Sequence, residues 1–301
     1  MFRSRYKERL PIHERSLEVN PQGSSPLFII PAEIRNILFP TMLAEYTLPD
    51  PSREYPAHIQ RPGHAGPRTM DVAFLRTCRR IYLETYHLPP QLASHVFWHA
   101  APSGPPGLAD LFPDIHGIEE EQLYFGKRLT QWQQSFITEI HLFTQMFWLD
   151  SSFERLCASD VLPKSIERLK ITIRAGDWWW NEHEYPFFIN PHRGGYLPEY
   201  MEDVARAERG EVIPWAKDGW GTGFQKLPEL KELKIEFETF NSRNKELSNV
   251  VQRTLKWNFP MGKRGELRTQ GTGMVVPSQW EKGIESFCVF TVQWKLAMDK
   301  Q

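Results

Sequence analysis

The sequence is short of cysteine, of net charge and of long apolar runs, and each shortage excludes a class of protein. Its three cysteines, Cys78, Cys157 and Cys288, are odd in number and far apart, which argues against a disulfide framework and indicates a reducing compartment. The formal net charge of −1 provides no overall attraction to nucleic acid or to an anionic membrane. No stretch approaches the ~20 apolar residues of a membrane helix, and residues 1–16 lack the apolar segment of a secretory signal. We therefore expect an intracellular protein, cytoplasmic or nuclear, with neither nucleic acid nor membrane among its partners.

The signatures of common catalytic and metal sites are also missing. The sequence contains neither an H-E-x-x-H nor a C-x-x-C arrangement of metal ligands. It also lacks the G-x-S-x-G turn that presents a nucleophilic serine. The glycines of residues 219–223 are not followed directly by a lysine, as a phosphate-binding loop requires. We therefore expect a protein that is not an enzyme and that carries no cofactor and no metal.

Aromatic residues and prolines are abundant instead. The chain has 24 prolines, 11 tryptophans and 19 phenylalanines. Aromatic side chains dominate both protein cores and recognition surfaces, so both uses stay open. Trp178, Trp179 and Trp180 are consecutive and are candidates for stacking on a ligand. Because successive residues of a strand point to opposite faces, at most two of them share one surface.

Carboxylate and imidazole side chains follow these tryptophans. Glu182, His183 and Glu184 are consecutive, and His192 comes soon after them. These residue types serve as acids, bases and metal ligands, and their convergence in a pocket would indicate catalysis. An enzyme with an unrecognised site between Trp178 and His192 is therefore one alternative.

Residues 27–39 have the pattern of a helix. Pro31 suits the first helical turn, where its missing N–H costs nothing. Pro40 predicts that the helix ends or kinks there, because a proline ring clashes with the preceding turn. The apolar side of this helix consists of Ile30, Ile34, Ile37 and Leu38.

A second helix is predicted from Thr69 to His87, where Pro89 and Pro90 follow and end it. Its apolar side chains cover a wider arc than a surface helix needs. This width predicts a helix that packs within its own unit and also presents a contact face. Residues 47–68, between the two helices, are rich in proline and predict a long loop.

A weak internal repeat appears further along the chain. Residues 137–142, 166–173 and 230–237 each join an L-x-x-L-x-L pattern to alternating apolar residues. This pattern resembles degenerate leucine-rich repeats, in which each repeat adds one strand to a growing sheet. Ordinary strands of one mixed sheet give the same pattern, so both interpretations stay open.

These patterns divide the chain into three parts. Residues 1–25 are predicted to be a flexible tail, and residues 26–92 a helical hairpin. Residues 93–301 are predicted to form an α/β body with an aromatic-rich insertion at about 176–226. The expected fold class is α+β: a helical hairpin followed by a mixed sheet with helices.

Two motifs lie in the predicted hairpin. The first, Ile-Pro-Ala-Glu-Ile-Arg-Asn, occupies residues 30–36. The second, Leu-Arg-Thr-Cys-Arg-Arg-Ile-Tyr-Leu-Glu, occupies residues 75–84. Together they resemble the F-box-like N-terminus of a large, mostly uncharacterised group of filamentous-fungal proteins. The resemblance implies that the hairpin docks a Skp-type linker protein of a ubiquitin ligase while the C-terminal part holds a target. The side chains that we expect to anchor this contact are Ile30, Pro31, Ile34, Leu38, Leu75 and Cys78.

Three hypotheses follow. The first is a non-enzymatic protein-interaction protein that serves as an F-box-like substrate adaptor. The second is a stand-alone scaffold or ligand-binding module in which the same anchors are packed internally. The third is the enzyme described above. The adaptor hypothesis requires the faces of residues 30–38 and 72–82 to be partly exposed, whereas the scaffold hypothesis requires them to be buried.

Overall fold

The structure, a computed structural model, describes residues 18–48, 54–55, 60–99, 129–179, 185–195, 197–269 and 275–297. These residues divide into two compact units. The described residues of 1–49 and 68–93 form the first unit, and those of 50–67 and 94–301 form the second. The proline-rich loop, expected from the sequence to belong to the hairpin, is therefore shared between the units. Of the expected tail, residues 1–17 lie outside the described residues, whereas the carbonyl of Pro21 accepts a hydrogen bond from Arg80.

The first unit consists of short helices and one two-stranded antiparallel sheet. Its core is small, and Phe39, Leu43 and Leu88 form its buried centre. Phe74 and Leu75 pack against this centre from the side. The elements are α1 (Pro26–Ile29), α2 (Ala32–Met42), β1 (Tyr46–Thr47), β2 (Arg68–Thr69), a 3-10 turn (Ala73–Arg76), α3 (Arg79–Thr85) and α4 (Leu88–Leu92).

The segment predicted as one helix, residues 27–39, forms two helices. The backbone leaves helical geometry at Ile30 and Pro31, so α1 ends before them and α2 begins at Ala32. Helix α2 does not end at Pro40 and continues to Met42. Proline removes one hydrogen bond from a helix interior. Phe39 and Leu43, on either side of Pro40, are both anchored in the core, and the Leu43 N–H closes the last turn on the Phe39 carbonyl at 3.0 Å. Packing therefore maintains the helix past the proline.

The prediction of one helix from Thr69 to His87 is wrong. The segment forms a 3-10 turn at Ala73–Arg76 and then α3, which begins only at Arg79. Cys78 separates them because its backbone is extended, with φ −155° and ψ 162°. Its thiol accepts a hydrogen bond from the Ile81 N–H, at 3.5 Å, and so caps α3. A residue that caps a helix lies outside it by geometry, which apolar spacing alone does not reveal.

The second unit combines helices with a mixed sheet of eight strands in its described part. This confirms the expected α+β class. The helices are α5 (Gln131–Gln134), α6 (Met146–Ala158), α7 (Leu197–Glu208) and α8 (Asn244–Thr254), with 3-10 turns at Trp220–Lys226, Asn241–Arg243 and Gly262–Arg264. The strands are β3 (Val96–His99), β4 (Glu139–Thr144), β5 (Arg168–Ile173), β6 (Glu232–Phe240), β7 (Phe259–Pro260), β8 (Glu266–Arg268), β9 (Val275–Lys282) and β10 (Glu285–Ala297).

The strand order is β3-β4-β5-β6-β10-β8-β7, and β9 also pairs with β10. Strands β3 to β6 are parallel to one another, whereas β10 is antiparallel to β6, β8 and β9. Parallel neighbours need a connection that returns along the sheet. The connection from β4 to β5 contains α6, and the connection from β5 to β6 contains α7 and the turn at Trp220–Lys226.

The three internal repeats lie side by side in the sheet. Ile140, Leu169 and Leu233 are register partners across β4, β5 and β6, and Leu142, Ile171 and Ile235 form the next row. All six side chains are buried in one core. The prediction that the three repeats are strands of one sheet is therefore confirmed. Residues at equivalent positions of the repeats are neighbours across adjacent strands.

The opposite face of these strands carries polar groups. The Thr172 hydroxyl lies 2.8 Å from the His141 ring and donates to Glu236 at 2.8 Å. Arg61, from the proline-rich loop, pairs with Glu238 at 3.0 Å and is largely buried. Buried charges are costly unless they are paired, so this loop neutralises the carboxylates of β6 as it covers them.

None of the helices in the described residues is long and apolar enough to span a bilayer.

We predict an asymmetric result from removing either partner of the Arg35–Glu84 ion pair in the first unit. Glu84 also pairs with Arg80, so Arg35→Met leaves that carboxylate with a partner. Glu84→Met instead leaves the guanidinium of Arg35, with only 7% of its side chain exposed, without a counter-ion. We expect Glu84→Met to lower the free energy of unfolding by about 2–3 kcal/mol and Arg35→Met by less, since an unpaired buried charge is the larger cost.

Urea denaturation measures both losses, and Arg79→Met, on the exposed side of α3, serves as the control. Equal losses for the two variants, or no loss for Glu84→Met, would contradict the structural role of the pair.

Candidate functional site

The outer side of α2 carries a row of exposed apolar side chains, which we call the exposed stripe. Ile34, Ile37, Leu38 and Met42 are 47%, 66%, 37% and 51% exposed. Ile37, Leu38 and Met42 follow Ile34 by three, four and eight positions, so all four lie on one side of the helix. A single exposed apolar residue is ordinary, but a contiguous group indicates a contact surface.

The orientation of α2 follows from contacts on its inner side. Arg35 donates through Nε and Nη2 to the two carboxylate oxygens of Glu84, at 2.9 and 3.1 Å. Such a two-point pair sets direction as well as distance. Arg35 belongs to the first F-box-like motif and Glu84 to the second, so this pair joins the motifs. Phe28 adds a ring that lies 4.0 Å from the guanidinium of Arg80.

The six predicted anchor residues do not form one surface. Pro31, Ile34 and Leu38 are exposed, whereas Ile30 is half-buried. Leu75 packs against the Phe39 core, and Cys78 caps α3. These last two residues are half-buried and both make contacts within the first unit.

Met42 was missed, although it follows Ile34 and Leu38 at four-residue intervals. The expectation that the helix ends or kinks at Pro40 left Met42 out of the predicted apolar side.

The second unit holds a separate candidate site, which we call the cleft. It has a volume of about 430 Å³. It lies between α7, the end of α8 and two segments of the insertion, residues 189–192 and 210–215. Small-molecule sites in proteins have volumes of ~300–1,000 Å³, so the cleft is large enough for a ligand. Its walls include His192, Tyr200, Trp215, Arg253 and Trp257.

Two glycines determine where His192 and Trp215 lie. The Gly221 N–H donates to the Pro191 carbonyl at 3.0 Å, and the Ala216 N–H donates to the His192 carbonyl at 2.8 Å. A β-carbon at Gly219 would collide with the His192 carbonyl, and one at Gly221 would collide with the Trp215 ring. The close approach of the two segments therefore requires glycine at both positions.

His192 is a neutral imidazole at pH 7. Burial lowers its pKa to about 4, although the nearby carboxylate of Asp203 opposes this change. The ring packs on Trp215, with 4.1 Å between ring centroids. Its Nδ1 atom is buried and has no hydrogen-bond partner within the described residues.

Asp203 fixes the adjoining wall. Its carboxylate accepts from Arg193 Nε and Nη2, both at 2.9 Å, and from Asn190 Nδ2 at 2.7 Å. These three bonds satisfy the buried carboxylate and connect α7 to the preceding loop. Asp203 therefore has a structural role rather than a free acidic one.

Basic groups come from α8 and the residues after it. Arg253 Nη1 donates to the Tyr200 hydroxyl at 2.9 Å. Lys256 follows three residues later and is exposed. Both line the cleft, so its wall combines apolar rings with two cations.

The predicted stacking platform does not hold for Trp178. That ring is only 4% exposed, because Phe187 and Phe237 lie beside it with centroids at 4.7 and 6.2 Å. Its indole N–H donates to the Glu238 carbonyl at 2.8 Å, which anchors it in the core. Trp179 is half-buried and packs against the same core, and Trp180 lies outside the described residues.

The residues of the enzyme hypothesis are mostly outside the described residues as well: Glu182, His183 and Glu184 are not among them. His192 lines the cleft. In the part of the chain that the structure describes, the search for three or more His, Cys, Asp or Glu side chains that could hold a metal ion finds no group.

We predict that His192 makes stability depend on pH. Its pKa is about 4 in the folded protein, below the ordinary value of about 6.5. Between these values the unfolded chain binds the proton more tightly, so the free energy of unfolding falls as the pH decreases. We expect wild type to lose about 1–2 kcal/mol from this group between pH 7.5 and pH 5, a loss that His192→Asn removes. Denaturation of both proteins at the two pH values measures the difference, and identical pH dependence would contradict a buried neutral imidazole.

Comparison with known protein families, with curated proteins and with solved structures finds no match for this chain.

Proposed function

We propose that this chain is a non-enzymatic protein-interaction protein that docks a partner through the exposed stripe of α2. The observation that carries the proposal is the row Ile34, Ile37, Leu38 and Met42, which stays exposed although the opposite side of the same helix is buried. An amphipathic helix binds a partner by placing such a row in an apolar groove. Here the helix has apolar residues on two sides, and only one side is used for folding.

We assign the partner to the Skp-type linker class, so the chain would act as an F-box-like substrate adaptor of a ubiquitin ligase. Residues 30–36 and 75–84 resemble the F-box-like motifs, and Arg35 and Glu84 join them in space. The ion pair supports this assignment because it orients α2 with the stripe outward.

The stripe alone gives weak binding. Each of its side chains is roughly half exposed, so complete burial contributes ~1 kcal/mol apiece. A total of ~4 kcal/mol corresponds to a dissociation constant of about 1 mM. A stable complex therefore needs contacts beyond the stripe, and Ile29, which is 71% exposed at the end of α1, is available for them.

We predict that Ile34→Asp and Ile37→Asp each weaken co-purification with a Skp-type linker protein at least tenfold while the chain stays folded. A charge in an apolar contact is costly, but both positions are exposed in the free protein. Ile284→Asp is the matched control, because Ile284 is fully exposed in the turn between β9 and β10 of the other unit. Pull-down and thermal denaturation are measured in parallel. Failure of wild type to bind, or equal weakening by the control, would contradict docking through the stripe.

We predict a different result for Leu75→Asp. Leu75 packs against the core of the first unit, so a carboxylate there loses its hydration without gaining a partner. We expect a loss of about 2–3 kcal/mol in the free energy of unfolding. Any loss of partner binding should then follow the loss of structure in circular dichroism. Binding lost from a variant of wild-type stability would place Leu75 in the contact surface instead.

A further inference from the structure

The cleft has the composition of a small-molecule site and belongs to the second unit, whereas the exposed stripe belongs to the first. Its body is apolar: Ile189, Val204, Val250 and the rings of Trp215 and Trp257 line it. Sites for small ligands are mostly apolar with a few placed polar groups. The planar rings favour a ligand with a flat or compact apolar body.

The acidic groups of the wall are largely neutralised. Asp203 is paired with Arg193, Glu211 with Arg209, and Glu266 with Arg268. Glu208, the remaining acid of the wall, is exposed to water. These carboxylates therefore offer little attraction to a cation.

The basic groups of the wall differ in this respect. Arg253 has the Tyr200 hydroxyl as its hydrogen-bond partner, and Lys256 lies on the same side, three residues further on. Among the described residues, no carboxylate lies within ion-pair distance of either side chain. A guanidinium has five N–H donors in a planar arrangement that matches a carboxylate. In the described part of the chain, one of the five, on Nη1 of Arg253, has a hydrogen-bond partner.

We propose that the cleft binds a small monoanion, a carboxylate with a planar apolar body, whose charge lies against Arg253 and Lys256 and whose body lies between the rings of Trp215 and Trp257. His192, a neutral imidazole, lines the same cavity and adds no charge that would compete with the two cations. This ligand would bind whether or not the stripe docks a protein, because the stripe and the cleft share no residue.

Three compounds with one ring system and different charges test the proposal: 2-naphthoate, 2-naphthylmethanol and 2-naphthylmethylamine. Titration of the full chain, followed by calorimetry, gives a dissociation constant for each compound. We expect 2-naphthoate to bind at least tenfold more tightly than the alcohol, and the amine to bind most weakly, since the ring is constant and only the charge changes.

Substitutions then locate the site. Arg253→Gln and Lys256→Gln should each weaken the binding of 2-naphthoate at least fivefold while leaving the binding of the alcohol unchanged. Lys263→Gln, an equal charge change on an exposed turn outside the cleft, should leave both unchanged. Ala207→Phe places a ring in the cavity and should abolish binding of all three compounds, with wild-type melting temperature showing that the variant is folded.

Several results would overturn the proposal. They are absence of 2-naphthoate binding at millimolar concentration, tighter binding of the amine than of the carboxylate, and equal weakening by Lys263→Gln. Undiminished binding to folded Ala207→Phe would place the ligand elsewhere.

Discussion

Parallel pairing of β5 with β6 is the constraint on which the second unit depends. Because parallel neighbours run in the same direction, the chain that leaves β5 at Ile173 must return along the sheet before β6 begins at Glu232. This return covers the apolar face with the Trp220–Lys226 turn, where Trp220 and Phe224 are fully buried. The remainder of the return forms α7 and the wall of the cleft. The insertion thus completes the core and creates a cavity at once.

In the first unit, the two apolar sides of α2 have different roles. One side of α2 builds a core from Phe39 and Leu43, and the other side presents the exposed stripe. Rotation of the helix about its axis would exchange these roles, since both sides are apolar. The two-point contact between Arg35 and Glu84 prevents that rotation. A polar interaction therefore decides which apolar side stays exposed, at modest cost because Glu84 stays partly hydrated.

The predictable part of the fold is the part with regular local periodicity. The repeats at 137–142, 166–173 and 230–237 predicted strands, and those strands are adjacent and in register. The helix does not end at Pro40, because packing maintains it past the proline. The prediction of one continuous helix through Cys78 was wrong, because the Cys78 thiol caps a helix that begins only after it. Some predicted anchors are exposed and others are partly buried, because spacing identifies an apolar side chain but not what covers it. Leu75 and Leu38 have the same chemistry, yet Leu75 packs against a core and Leu38 faces outward.

The sequence by itself determined the α+β class, the three repeated strands and the two motifs of the first unit, because each depends on residues close together along the chain. Only the tertiary structure decided that Trp178 belongs to the core, that Arg35 pairs with Glu84, and that Arg253, Tyr200 and His192 line one cavity. The hydrogen bonds of Arg35, Arg253 and Trp178 join residues 49, 53 and 60 positions apart, and no local pattern encodes them. Which residues meet depends on the path that the chain takes between the strands and on the requirement that buried polar groups have hydrogen-bond partners.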